Sequence, residues 1–184
     1  MVGSTVYGFE DQLSQIVAQL NLLGYNVLNS HIGSIKVNPH LSNLEKCLNA
    51  VEECDLFLGI IRPYYGTGNI DEKNITFEEI KKAIELKKPY WFLVHRDVVF
   101  ARLLFDKMEI KREEIVIKRN SFFDKRTIDI YEYVIKNHEP VVLRNGNWAQ
   151  EFYRLDELMT YIVTQFSDKK FVSNIINEPL KYNG

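Results

Sequence analysis

Asp55-Leu-Phe-Leu-Gly-Ile-Ile61 is a continuous apolar run of strand length, and Tyr90 to His95 is another. A strand wet on one face alternates apolar and polar residues, so an unbroken run needs cover on both faces. The segments between and around these runs supply that cover. Glu10 to Leu23 carries Leu13, Ile16, Val17, Leu20 and Leu23 at helical spacing and stops at Gly24. Leu44 to Cys54, capped by Ser42 or Asn43, reads as a second helix, and Thr76 to Lys88, broken by Pro89, as a third. With Met1 to Ser4 and Tyr25 to Asn29 as short strands, the first hundred or so residues alternate strand and helix. Such alternation predicts a parallel sheet with helices on both faces.

Composition narrows the class. A chain of 184 residues, 46% apolar and 26% charged, buries one sizeable core, so a single domain over 1–184 is expected. The formal charge of −2 lacks the basic footprint of nucleic-acid binding, and direct nucleic-acid contact is not expected. Cys47 and Cys54 have no histidines at ligand spacing, which gives neither a disulfide framework nor a metal site; both read as core fillers. No secretory signal and no apolar run near the roughly 20 residues needed to cross a bilayer are seen, so the expected compartment is the cytoplasm, without membrane contact.

In open parallel sheets ligands sit beyond the carboxyl ends of the strands. That rule selects the loops Gly3 to Phe9, Ser30 to Asn43 and Arg62 to Thr76. In the first, Ser4, Thr5 and Tyr7 offer hydroxyls ahead of a helix, where phosphate can be held, or form an ordinary turn. In the second, His31, Lys36 and His40 are each more often solvated. In the third, Arg62 can pair with a diphosphate or a surface acid, and Tyr64 and Tyr65 can stack on a ring or pack on the loop. His95 closes the strand Tyr90 to Val94 as a structural histidine or as an acid or ligand contact. The helix after the third loop begins Asn-Ile-Thr-Phe-Glu-Glu-Ile. With Thr76 as N-cap, Glu79 falls where a capping box places its acid, while Glu78 gains from the helix dipole. Helical geometry turns Glu79 toward the sheet end and Glu78 toward water.

Three stretches carry a resemblance: Val-Gly-Ser-Thr-Val-Tyr-Gly-Phe-Glu at 2 to 10, Val-Glu-Glu-Cys-Asp-Leu-Phe-Leu-Gly-Ile-Ile-Arg-Pro-Tyr-Tyr-Gly at 51 to 66, and Ile-Thr-Phe-Glu-Glu-Ile at 75 to 80. Together they resemble a bacterial TIR-like domain family of formerly unassigned function, and the resemblance continues through Ile128 to Tyr133 and 144 to 152. It implies an α/β, flavodoxin-like three-layer sandwich with a central parallel sheet of about five strands. The core units would span 1–106, and a C-terminal α+β extension, 107–184, would pack on them. Enzymatic members of the TIR domains and of the more distant nucleoside 2-deoxyribosyltransferases use a glutamate near the start of the helix after the third or fourth strand, close to a bound ribose. The transferase pattern Thr-x-x-Glu-x-x-x-Ala matches Thr76, Glu79 and Ala83, which makes Glu79 the catalytic candidate; Lys81 stands where transferases often carry glycine. The family's first strand normally begins several residues before the Ser-Thr pair. The resemblance therefore implies a short strand, an edge contributed by another chain, or a natural start upstream.

A carboxylate suits N-glycosidic cleavage, since it can stabilise an oxocarbenium-like state or attack the anomeric carbon. With no clear second acid, a leaving group that needs no proton is favoured. The nicotinamide of NAD is one, its ring nitrogen being already cationic. The expected function is NAD hydrolysis or cyclisation in bacterial antiviral defence or signalling, with NAD as substrate, no further cofactor, self-association and an effector protein as partner. The alternatives are a non-catalytic nucleotide-sensing or protein-interaction module and a nucleoside deoxyribosyltransferase-like enzyme.

The rest of the chain is less patterned. Lys107 to Arg126 is charge-rich and reads as a solvated helix or excursion. Ile128 to Ile135 reads as helix. Glu139 to Leu143 and Trp148 to Phe152 read as a hairpin about Asn145-Gly146. Asp156 to Phe166 reads as the last helix, and the tail from Lys169 as loose.

Overall fold

The computed structural model describes residues 1–66, 69–70, 73–116, 123–144, 146 and 148–177. Four parallel strands form the main sheet: β1 (Val2–Ser4), β2 (Phe57–Ile61), β5 (Tyr90–His95) and β6 (Ala149–Phe152), in the order β1-β2-β5-β6. Two short strands, β3 (Asn69–Ile70) and β4 (Lys73–Asn74), pair antiparallel inside the expected third loop. Seven α-helices are found among the described residues: α1 (Glu10–Leu22), α2 (Asn43–Glu53), α3 (Ile75–Glu85), α4 (Arg96–Lys107), α5 (Arg126–Val134), α6 (Leu155–Phe166) and α7 (Lys169–Asn177). The architecture is α/β with an order compatible with a flavodoxin-like fold. No helix among the described residues is long and apolar enough to cross a membrane.

The two faces of the sheet follow from the period of two along each strand. Leu58, Ile60 and Leu93 face α1, α6 and α7, packing on Leu13, Ile16, Leu158, Ile162 and Phe166. Phe57, Ile61, Phe92 and Val94 face the other way, on Val51, Ile80, Ala83, Val98 and Ile128 of α2 to α5. All five residues of β2 are buried, as its unbroken apolar run requires.

The sheet has four strands rather than about five, because 25–29 does not form one. It runs beside β1 but makes one backbone bond to it, Val2 N–H to the Leu28 carbonyl at 2.9 Å. The Val2 carbonyl instead accepts from the side-chain amide of Asn29 at 2.9 Å. Asn29, 2% exposed, also takes the His31 and Ile32 amides on Oδ1, turning the chain away from the sheet. A three-residue β1 leaves little ladder for an outer strand to extend.

The expected C-terminal hairpin is also corrected. Val141–Leu143 is one turn of 3-10 helix with all three side chains exposed. Ala149–Phe152 instead pairs parallel to β5, Phe92 opposite Ala149 and His95 opposite Phe152. Burying Phe152 at the open edge of β5 outweighs pairing with a solvated Val-Val-Leu segment. The tail is helical to Asn177: the Asp168 carboxylate accepts from the Lys170 and Phe171 amides, and Val172 is 1% exposed. The turn residue Asn145, the charged Lys118 and Arg119 and the residues from 178 onward lie outside the described residues.

Gly3 and Gly59 are register partners on the α3 face of the sheet. A β-carbon on Gly59 would lie 2.7 Å from the Phe92 ring and 3.1 Å from the Phe57 ring. Gly59→Ala is therefore expected to lower stability by about 2 kcal/mol, read as a reduced urea midpoint with unchanged slope.

Candidate functional site

Helix α3 begins two residues earlier than a Thr76 cap would dictate. Asn74, 3% exposed, is the N-cap: its side chain accepts from the Phe77 amide at 2.9 Å. Glu79 then lies five residues beyond the cap, out of reach of a capping box, which corrects the capping role expected for it. Glu78 pairs with Lys81 at 2.8 Å on the helix surface.

Glu79 faces inward and is 3% exposed. It lines a cleft of about 460 Å³ at the carboxyl end of β1, together with Ser4, Thr5, Tyr7, Lys46 and Thr76. The missing side chain of Gly3 makes room for it, since a β-carbon there would lie 2.9 Å from Glu79 Oε2 and 2.6 Å from the Phe57 ring. No Lys or Arg among the described side chains forms an ion pair with Glu79. Burial pushes its carboxyl from the ordinary 4.5 up to about 7, offset only in part by a hydrogen bond from the Cys47 thiol and by the charge of the Met1 ammonium. Burial and the Glu79 charge together push the Cys47 thiol up to about 12, so it stays protonated and is no nucleophile.

Thr5 is 8% exposed, and its hydroxyl is buried without a hydrogen-bond partner. Gly66, at φ +86, closes the cleft rim: a β-carbon there would meet the Thr5 methyl at 3.2 Å and the Asn74 amide at 3.3 Å. Ser4 donates to the Thr5 carbonyl at 3.2 Å. Tyr7 is 71% exposed and meets Tyr64 edge to face at 6.4 Å.

The other expected site residues stand elsewhere. Arg62, 7% exposed, spends its guanidinium on three carbonyls, Nη1 to Thr5 and Tyr7 at 3.1 Å each and Nη2 to Gly8 at 3.2 Å. Its planar head lies over Phe9 and Tyr64, and burial lowers its pKa to about 10. Arg62 is thus the scaffold of the first loop, holding Thr5 and Tyr7 at the cleft from behind. Tyr65 is buried under Arg126, 3.9 Å from the ring. His95 caps α4, its Nδ1 accepting from the Asp97 amide at 3.3 Å, and packs on Phe152 and Tyr153. It does not line the Glu79 cleft.

Lys46 and Asn74 are cleft residues that sequence reasoning did not single out. Asn74 precedes the apparent cap Thr76, and Lys46 looks like any charged residue of an amphipathic helix. The described residues contain no cluster of three or more His, Cys, Asp or Glu able to hold a metal ion.

A family model described as a domain of unknown function, DUF4062, matches residues 1–142. The chain belongs to that family. No curated protein and no solved structure matches it. The DUF4062 match spans all three loops that carry the cleft and ends before β6, the strand that completes the sheet at 149–152.

The Glu79 carboxyl holds its proton more tightly in the folded chain than in the unfolded one. Stability from that proton is present below about pH 4.5 and lost as the pH rises through about 7. Relative to Glu79→Gln, the wild-type chain is expected to lose about 3 kcal/mol between pH 5 and pH 8. Urea denaturation of both proteins at a series of pH values measures it; parallel curves would show a solvated carboxylate.

Proposed function

We propose that this DUF4062 chain is a TIR-like enzyme that cleaves the nicotinamide N-glycosidic bond of NAD, with Glu79 as the catalytic carboxylate. The observation that supports the reading is a buried carboxylate with no Lys or Arg ion pair among the described residues, set in a cleft at the strand ends. A fold tolerates such a group at a cost, and a pKa near neutrality in a cleft is common where a carboxylate must act.

The chemistry follows from the cleft's composition. Glu79 is the single carboxylate among the described residues that line it, so no second acid stands ready to protonate a leaving group. Nicotinamide takes the electron pair of the breaking C–N bond and leaves neutral. Ionised Glu79 stabilises the positive charge that develops on the ribose, or bonds to the anomeric carbon and is displaced. Water then adds its hydroxyl to that carbon and gives up a proton, leaving ADP-ribose; attack by an adenine nitrogen gives a cyclic product. A nucleoside deoxyribosyltransferase would need an acid at its base, which this lining does not supply.

Self-association fits α4, which with its C-terminal cap Met108 exposes Phe100, Leu103 and Leu104, each of the four at least 38% exposed. A role in antiviral defence or signalling belongs to the same TIR-like reading. A non-catalytic nucleotide-sensing module draws on one observation of its own: at 3% exposure, Glu79 presents little surface to a ligand.

Nicotinamide release from NAD by concentrated purified protein tests the proposal. Glu79→Gln is expected to cut the rate by about a hundredfold or more, while Glu78→Gln stays near wild type. Equal rates in the wild type and Glu79→Gln, or no release at all, would set the enzymatic reading aside.

A further inference from the structure

Lys46 occupies a costly position. It is the fourth residue after the Ser42 cap of α2, in the turn where the helix dipole disfavours a cation. The nearest acid on that helix, Glu45, is committed to the Ser42 amide at 2.7 Å. Lys46 forms no ion pair among the described residues, and it lines the Glu79 cleft.

Positive potential from two helices reaches the same space. Asn43, the first residue of α2, lines the cleft, as do Ile75 and Thr76, the first two of α3. The amides of Ile75 and Thr76 precede the first intrahelical bond, and the Asn74 cap takes the Phe77 amide instead. Two independent observations mark the space as built for a ligand. The Thr5 hydroxyl, on a residue 8% exposed, is buried at the cleft without a partner, and the Glu79 carboxylate is 3% exposed with no Lys or Arg ion pair among the described residues. The cleft therefore has an anionic wall at Glu79 and a cationic one at Lys46 and the helix ends. A sugar hydroxyl fits the first and a phosphate the second.

We propose that Lys46, with the first-turn amides of α3, forms a phosphate subsite that makes the cleft select nucleotides over nucleosides. The inference rests on the reading of Glu79 as the ribose contact and adds the substrate class. Lys46 is a specificity-determining residue that contacts substrate and leaves the bond-breaking step to Glu79. It also separates the NAD reading from nucleoside transfer, because a nucleoside substrate would leave Lys46 without a partner.

Calorimetric titration of the wild-type chain, Lys46→Met and Lys46→Arg tests it with two probes, ADP-ribose and nicotinamide riboside. Lys46→Met is expected to weaken ADP-ribose binding by about tenfold or more and to leave the riboside within about twofold, and Lys46→Arg to restore most of the loss. Retained melting temperatures in both variants exclude misfolding as the cause. Equal loss for the two probes, no loss for either, or no ADP-ribose binding by the wild type overturns the proposal. Lys46-dependent ADP-ribose binding in a chain that releases no nicotinamide would uphold the subsite and sink the enzymatic reading. Nicotinamide release with Lys46-indifferent binding would do the reverse.

Discussion

Gly3 opposite Gly59, a parallel pair without side chains, is the constraint on which the layer above the sheet depends. The two missing β-carbons leave the space that the Phe57 and Phe92 rings fill and that Glu79 Oε2 enters. Close packing fixes how near a helix can approach the sheet beneath it. Here it also brings the α3 carboxylate down beside β1. Any side chain at position 3 would displace either a buried ring or the acid, so core packing and the candidate site share one solution.

The site is unfavourable for folding at three points. Glu79 loses hydration without gaining a Lys or Arg pair among the described residues, Thr5 buries a hydroxyl without a partner, and Lys46 sits at the positive end of a helix. Arg62 shows the contrast. It is equally buried, yet three carbonyls and two aromatic faces take up its hydrogens and charge, which is how a structural charge is usually satisfied. Groups that cost folding energy gathered around one cleft, with well-satisfied ones just behind it, are the pattern expected of a binding site rather than of a scaffold.

Much of the fold was legible. The unbroken runs at 55–61 and 90–95 announced buried parallel strands, and β5 spans Tyr90–His95 as expected. Helical spacing located α1, α2 and α3 to within a few residues. The failures have local causes. At 25–29 a side-chain amide from Asn29 replaces a ladder bond, and apolar alternation carries no trace of that. At 139–152 a strong turn signal suggested a hairpin, but strand pairing was decided by the vacant edge of β5, which is far away in sequence. Within the site, the inward direction of Glu79 followed from helical geometry. The cap at Asn74 and the inward use of Arg62 depended on partners that no local pattern reveals.

The central claim is that Glu79 is a buried carboxylate of raised pKa which a nucleotide meets. Its carboxyl carbon can be followed by NMR in protein labelled with carbon-13 at glutamate side chains, assigned by Glu79→Gln and titrated with and without ADP-ribose. The account predicts a midpoint near 7 in the free protein and a displaced midpoint when ADP-ribose is bound. A midpoint in the ordinary glutamate range near 4.5, unmoved by ADP-ribose, would contradict it.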